Sequence, residues 1–429
     1  MFGKDSFKKK NYGKYLLGME LGASAVQISY VKIGESSPET LSLREGMEEY
    51  NIPFALFREK EQGIWRFGKD ALEKNEKVPG DLIVNLLDLC ETGDEIKLGE
   101  ETYAASALFA LFVKRCFSLL SFVVSTDMIA GCTFTAPDLE EKKINILQNM
   151  TEYLQMPHIE FNFCTRKESF FAYNIHMEKE LWNNEVYLYE VNKETLSSYC
   201  LTINCSTSPK VMTIHKKDYP LPLAENPVTQ EEKKEADSWF LERLKEELEG
   251  KLVSTVYLIG DVFLGQWYTE SLRYLCSKRR VFLGNNLFSK GACYRMMEHL
   301  MPSDLSKEYI YLGEDKLTFN MGIKVLSRGK EVFLPLLNGG NSWFESKGAW
   351  DFILEEENKL RFRIIPLDGK NAVDKDIILH GLDFKFPYCR IHLEVEMRSK
   401  DKMVIKIREK GFGEFSLPSG HYWEETMSI

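Results

Sequence analysis

The residues best suited to chemistry lie in the run Leu16-Leu17-Gly18-Met19-Glu20-Leu21-Gly22-Ala23-Ser24-Ala25-Val26-Gln27-Ile28. Two apolar segments flank a turn of small residues, and a carboxylate stands just before that turn. The pattern predicts a tight β-hairpin whose backbone can approach a ligand closely, as a phosphate-binding hairpin does. The same residues also suit an ordinary two-stranded turn in a core sheet, because short glycine motifs are common. Their order along the chain has to decide. Other chemistries find less support. The seven histidines, at 158, 176, 215, 299, 380, 392 and 421, are spread without metal-ligand spacing. There is no Walker-type Gly-Lys-Ser loop, nucleophile elbow, zinc motif or dinucleotide fingerprint. The nine cysteines form no Cys-x-x-Cys pair and sit mostly in apolar runs. They read as buried, reduced thiols, which fits a reducing cytoplasm.

The elements that must position such a hairpin are those of a large globular chain. At 429 residues there is room for two or three domains with substantial cores. A hydrophobic share of 44% with 28% charged residues excludes collagen-like and wholly disordered classes. The net charge of -10 argues against a nucleic-acid partner, whose phosphates need clustered Lys and Arg. Five lysines occupy residues 1–14, with no secretory apolar core behind them; the segment reads as a flexible basic arm able to touch an anionic membrane surface weakly. The most apolar run, residues 107–124, carries Lys114 and Arg115 at its centre, so a buried helix is expected there and no membrane span.

In order along the chain, these elements resemble the actin-like ATPases, most closely the DnaK-type heat-shock chaperones. Gly18-Met19-Glu20-Leu21-Gly22-Ala23-Ser24 is similar to that family's first phosphate loop, Gly-Ile-Asp-Leu-Gly-Thr-Thr. Phe67-Gly68-Lys69-Asp70-Ala71-Leu72 resembles a Val-Gly-x-x-Ala-Lys element, with Leu72 in place of the family's catalytic lysine. A strand over residues 128–135 ends at Ala136-Pro137, and Asp138 with Glu141 predicts a capped helix carrying Ile144, Leu147, Met150 and Leu154. The next helix start, Thr165-Arg166-Lys167-Glu168-Ser169-Phe170, replaces the family's Glu-Pro-Thr-Ala-Ala-Ala, and its two phenylalanines, Phe170 and Phe171, favour core or partner packing.

The second phosphate loop is the most informative stretch. Val186-Tyr187-Leu188-Tyr189-Glu190-Val191-Asn192-Lys193-Glu194-Thr195 aligns with the family's Val-x-x-x-Asp-Leu-Gly-Gly-Gly-Thr, and all three glycines are gone. Side chains there keep the backbone N–H groups from closing on phosphates, while Asn-Lys still makes a turn. Further on, Thr229 with Glu232 predicts a capping box, and Ala236, Phe240, Leu244 and Leu248 a buried helix face. The strand at residues 253–259 ending in Gly260-Asp261 resembles the adenosine strand, with one glycine of the family's Gly-Gly-Ser. The resemblance implies Glu20 and Glu190 as counterparts of the aspartates that hold metal and water across a cleft. It also implies Gly22, Ala23, Ser24, Asn192, Lys193, Thr195, Gly260 and Asp261 as the nucleotide-cleft counterparts. ATP with magnesium is the cofactor the family would use; the lost glycines remove most of the cradle that positions it, so no metal site is expected.

From Met301-Pro302-Ser303 onward, alternating segments such as Lys316-Leu317-Thr318-Phe319, Lys330-Glu331-Val332-Phe333-Leu334 and Lys402-Met403-Val404-Ile405-Lys406-Ile407 predict a β-sandwich of about eight strands, similar to the chaperone's substrate domain without its helical lid. The expected fold is thus α/β: residues 1–13 a basic arm, 14–301 an actin-like two-lobed ATPase core of the ribonuclease H-like kind, reduced in size, and 302–429 an all-β sandwich. The function this implies is a DnaK-like pseudo-ATPase in a bacterial-type cytoplasm, binding a protein or peptide partner. Two alternatives are a working or weak Mg-ATPase using Glu20 and Glu190, and a division or cytoskeletal scaffold resembling FtsA or PilM.

Overall fold

The computed structural model describes residues 14–429 except 45, 94, 193, 194, 222–228, 266, 356, 357, 383–387 and 413–416. The basic arm and Lys193 therefore lie outside the described residues, and of Asn192 only the backbone is described. The chain divides into two units, Met1–Tyr311 and Leu312–Ile429.

Among the sheets of the first unit, two mixed ones share the same strand order. In one, Tyr15–Leu21 (β1), Ala25–Lys32 (β2) and Glu39–Thr40 (β3) form an antiparallel meander. Ile129–Ala136 (β4) then lies parallel beside β1, and Glu160–Thr165 (β5) parallel beside β4. In the other, Glu185–Asn192 (β6), Thr195–Asn204 (β7) and Lys210–Pro220 (β8) repeat the meander, and Val253–Ile259 (β9) and Arg280–Leu283 (β10) repeat the parallel pair. Tyr309–Tyr311 (β11) extends this second sheet, parallel to β8. Because β1 is central, its residues from Leu16 on are buried on both faces, which is why its sequence runs apolar without alternation. Glu20 is the one charge in that run.

Five longer helices position these sheets: Ala105–Leu119 (α1), Glu141–Leu154 (α2), Arg166–Ile175 (α3), Gln230–Leu248 (α4) and Leu287–Leu300 (α5). Helix α4 starts at the capping box of Thr229 and Glu232 and buries Ala236, Phe240, Leu244 and Leu248 on the outer face of the second sheet, against Tyr187, Tyr189 and Leu258. Helix α2 buries Ile144, Leu147, Met150 and Leu154, but its start differs from expectation. Glu140 is the capping residue, without a side-chain bond, and Asp138 instead accepts from Lys143 Nζ at 2.8 Å. The segment Ala105–Phe122 is long and apolar enough to cross a membrane, and half of it is buried inside the fold, where Phe109 and Phe112 pack on Phe54.

Helices α3 and α5 lie between the two sheets. Cys293 and Met296 of α5 pack on Leu16 and Val31 of the first sheet. Phe170 and Ile175 of α3, with Phe288 and Tyr294 of α5, pack on Val186, Leu188, Tyr199 and Ile259 of the second. Two glycines make the approach close enough. A Cβ on Gly18 would lie 2.2 Å from the Ser289 carbonyl oxygen, and one on Gly291 would lie 2.0 Å from that of Ser169.

Among the described residues the second unit has eight strands: Phe319–Ser327 (β12), Lys330–Leu337 (β13), Lys347–Glu355 (β14), Lys359–Pro366 (β15), Val373–Ile378 (β16), Tyr388–Ser399 (β17), Lys402–Glu409 (β18) and Tyr422–Ser428 (β19). They form two four-stranded antiparallel sheets, β13-β12-β15-β16 and β14-β17-β18-β19. In β17 and β18 every second residue is buried, the mark of a sheet with one covered face. Of the expected strand at Lys316-Leu317-Thr318-Phe319 only Phe319 enters β12; buried Lys316 bridges to Ser342 and bonds its hydroxyl at 2.8 Å. The first unit ends at Tyr311, ten residues beyond the expected boundary after Met301, because β11 pairs back onto β8.

Candidate functional site

Glu20 is the sixth residue of β1, and Glu190 is the sixth of β6. Strand periodicity sets their direction. Gly18, two residues before Glu20, meets α5, and Leu188, two before Glu190, lies in the core around α3 and α5. Both carboxylates therefore face the central helix layer, each just ahead of its hairpin turn.

Between them stands Arg166, the first residue of α3. Its Nη2 donates to Glu20 Oε1 at 2.6 Å and its Nη1 to Glu190 Oε1 at 3.0 Å. The Tyr199 hydroxyl donates to Glu190 Oε2 at 3.3 Å, and the guanidinium lies 5.0 Å from the centre of the Phe288 ring. Both glutamates are buried and Arg166 is largely so, at 13% exposure. Burial pushes the Glu20 carboxyl up from its ordinary value; Arg166 opposes this and Glu190 reinforces it. For Arg166 burial disfavours the charge, but the two carboxylates outweigh it and the guanidinium is held more firmly protonated than in water. The Tyr199 hydroxyl is pushed up by burial first and Glu190 second.

The local sequence explains why Arg166 can sit here. Thr165 accepts a hydrogen bond from the Glu168 backbone N–H at 3.1 Å and so starts α3 where β5 ends. The residue after such a cap lies in the positive field of the helix N-terminus, where a cation is disfavoured by about 0.3–1 kcal/mol unless anions face it. Two do. Farther along, α3 and α5 are joined by Arg295 Nε on Glu168 at 2.7 Å and by His176 Nε2 facing Glu298 at 3.0 Å.

The structure brings together Glu20, Glu190 and, at their edge, Gly22, whose would-be Cβ lies 3.7 Å from Arg166 Nη2. Gly22 N–H already donates to the Ala25 carbonyl at 2.9 Å, closing the turn upon itself. Ala23 and Ser24 point to solvent. Thr195 opens β7 opposite Asn192, half-buried. Gly260, at φ 117°, follows β9 beside the second hairpin, where a Cβ would lie 3.0 Å from the Val191 carbonyl oxygen. Asp261 is exposed in the turn Asp261–Leu264, and Leu72 is partly exposed on the helix Gly68–Asn75. Lys193 lies outside the described residues. Sequence reading singled out the two glutamates and missed Arg166; a basic residue directly after a Thr cap was the signal that could have found it.

The cluster is poorly suited to a metal. The Oε1 atoms of both glutamates accept from guanidinium N–H groups, so magnesium would have to displace a buried charged side chain, and the residues present do not fit it. Among the described residues, no group of three or more His, Cys, Asp or Glu side chains could hold a metal.

What the fold and site define is an α/β protein with two like-ordered sheets bridged by an internal, buried cation. The chain belongs to the family described as "Family of unknown function (DUF5716) C-terminal", whose model matches residues 37–314. A second model, "Domain of unknown function (DUF8552)", matches residues 316–429. Arg166 and Glu190 fall inside the first match and Glu20 ahead of it. No curated protein matches the chain.

Proposed function

We propose that residues 14–311 are an actin-like, DnaK-type core that has given up ATP turnover, and that the chain works in the cytoplasm as a protein- or peptide-binding scaffold. The observation that carries this reading is Arg166 held between Glu20 and Glu190. In an ATPase of this kind the space between the two carboxylates belongs to a metal and its water. Here a side chain supplies the cation permanently, and its charge is already neutralised by two anions. The shared strand order of the two sheets supports the kinship, and the glycine-free second hairpin supports the loss of a phosphate cradle. Nine free cysteines favour a reducing compartment. On the edge strand β13, Val332 and Phe333 are exposed, which supports an extended peptide adding alongside it.

The test is thermal unfolding of the full chain with and without Mg-ATP. No magnesium-dependent rise in melting temperature is expected. Binding at about 100 times the dissociation constant would stabilise the fold by about 2.7 kcal/mol, and such a rise, or steady phosphate release, would overturn the reading.

A further inference from the structure

We infer that the groove between the edge strands β16 and β19 of the second unit is a seat for one extended segment of a partner polypeptide, which enters as an added strand. Each of these strands ends its sheet and so has one side without a neighbour. The register shows which backbone groups face that side. In an antiparallel ladder the two residues of a hydrogen-bonded pair turn N–H and C=O toward each other, and such pairs alternate along the strands. Glu409 N–H donates to the His421 carbonyl at 3.1 Å and Ile429 N–H to the Asp401 carbonyl at 3.0 Å, which fixes the phase of β18 on β19. Trp423, Glu425 and Met427 therefore bond to β18, whereas Tyr422, Glu424 and Thr426 turn their backbone groups outward. On β16 the bond from Leu379 N–H to the Asn358 carbonyl at 2.6 Å leaves Asp374 and Asp376 outward by the same rule. Among the described residues these outward groups meet no other strand.

The two open edges stand opposite one another. Lys375 Nζ donates to the Ser428 carbonyl at 2.7 Å at one end, and Trp423 Nε1 to the His380 carbonyl at 3.0 Å at the other. Between these bridges lies a groove of about 470 Å³, lined by Lys375, Asp376, Ile377, Glu425, Thr426 and Met427. A lysine stem reaches about 6 Å, so the first bridge holds the two strands within about 11 Å of each other. That is close to two strand spacings of about 4.8 Å, room for one strand and no more.

The chemistry of the occupant follows from what the groove offers. Ile377 and Met427 share a sheet face with their buried pair partners Leu360 and Met403, and so point between the sheets. Charge contributes little, because Asp376 is held by Arg361 at 2.7 and 2.9 Å and Lys375 and Glu425 on the facing strands are of opposite sign. A polyanion finds no field here. The open groups are backbone donors and acceptors at the repeat of a β-ladder, which another extended backbone matches along its length. The edge strand of a second folded copy is already bonded on one side and is too wide to enter. A single segment, apolar at the alternate positions that face Ile377 and Met427, fits. The inference rests on the peptide-binding reading above and gives it a seat apart from β13.

The experiment is amide hydrogen exchange on the full chain, alone and with a synthetic peptide copying residues 402–409, the stretch that pairs with β19 from its other side. In the free chain the amides of Glu424 and Thr426 should exchange faster than those of Glu425 and Met427. The peptide should slow exchange at Glu424, Thr426 and Asp376. Thr426→Pro removes an outward N–H and no bond to β18, and should weaken peptide binding about tenfold, while Thr426→Val keeps that N–H and should not. Three results would each overturn the assignment: Glu424 and Thr426 as slow as their neighbours in the free chain, peptide binding indifferent to Thr426→Pro, or self-association of the chain that Thr426→Pro abolishes, which gives the groove to a second copy. Protection by the peptide on β13 alone would remove this seat and leave the peptide-binding reading standing; protection on neither strand would count against both.

Discussion

Arg166 is a cation at the first position of a helix, in a setting that makes its two anionic partners indispensable. Taking one member out of a buried ion cluster leaves uncompensated charge in a medium that solvates it badly, and typically costs about 3–5 kcal/mol. Arg166→Met is therefore expected to lower the urea midpoint sharply, since Glu20 and Glu190 are then left facing each other. Replacing all three, Glu20→Leu and Glu190→Met with Arg166→Met, should recover most of that loss, because well-packed apolar residues often substitute for a buried ion cluster without penalty. If the single variant unfolds like the parent, the cluster does not hold the sheets. At this scale the sequence spoke through Glu20, a charge inside an apolar strand, and through Glu190, whose neighbours Tyr187 and Tyr189 alternate with Val186 and Leu188. It was silent about what the two meet, since Arg166 is 146 residues from Glu20.

At the scale of elements, the packing of α5 between β1 and α3 depends on Gly18 and Gly291. A glycine inside a helix normally costs about 1 kcal/mol against alanine. At Gly291 the sign should reverse, because the new Cβ would meet the Ser169 carbonyl oxygen at 2.0 Å and α3 would have to move. Overpacking of this kind costs about 1–3 kcal/mol. Gly291→Ala should unfold at lower urea than the parent, while Gly284→Ala, where nothing lies within 4 Å of the new atom, should not. A Gly291→Ala protein more stable than the parent would remove this account of the helix pair. Element starts were legible where cap and partner are local, as in Thr229 and Glu232. The start of α2 was not, because Asp138 engages Lys143, a choice between two local partners that spacing does not rank.

At the scale of the whole molecule, the first unit closes with β11. Tyr309 and Tyr311 are buried there, and Lys179 Nζ donates to the Tyr309 hydroxyl at 2.9 Å. A chain ending after Tyr311 should melt as one cooperative unit. A chain ending after Met301 should be markedly less stable, because losing even one buried aromatic costs about 3–5 kcal/mol. Equal melting temperatures for the two would place the boundary earlier. The change of texture at Met301-Pro302-Ser303 was plain in the sequence, yet a three-residue strand has no periodicity by which to be found.

What the sequence by itself determined was local and periodic: the two hairpins, the apolar faces of α2 and α4, the alternating strands beyond residue 316 and the absence of glycine from the second turn. Each of these is a property of neighbours along the chain, where side-chain direction follows from the period of the element. Only the tertiary structure decided that both sheets share one strand order, that two glycines bring α5 into contact with β1 and α3, and that Arg166 reaches both glutamates. Those are meetings between residues more than a hundred positions apart in most cases, and no spacing in the chain encodes a distance across its core.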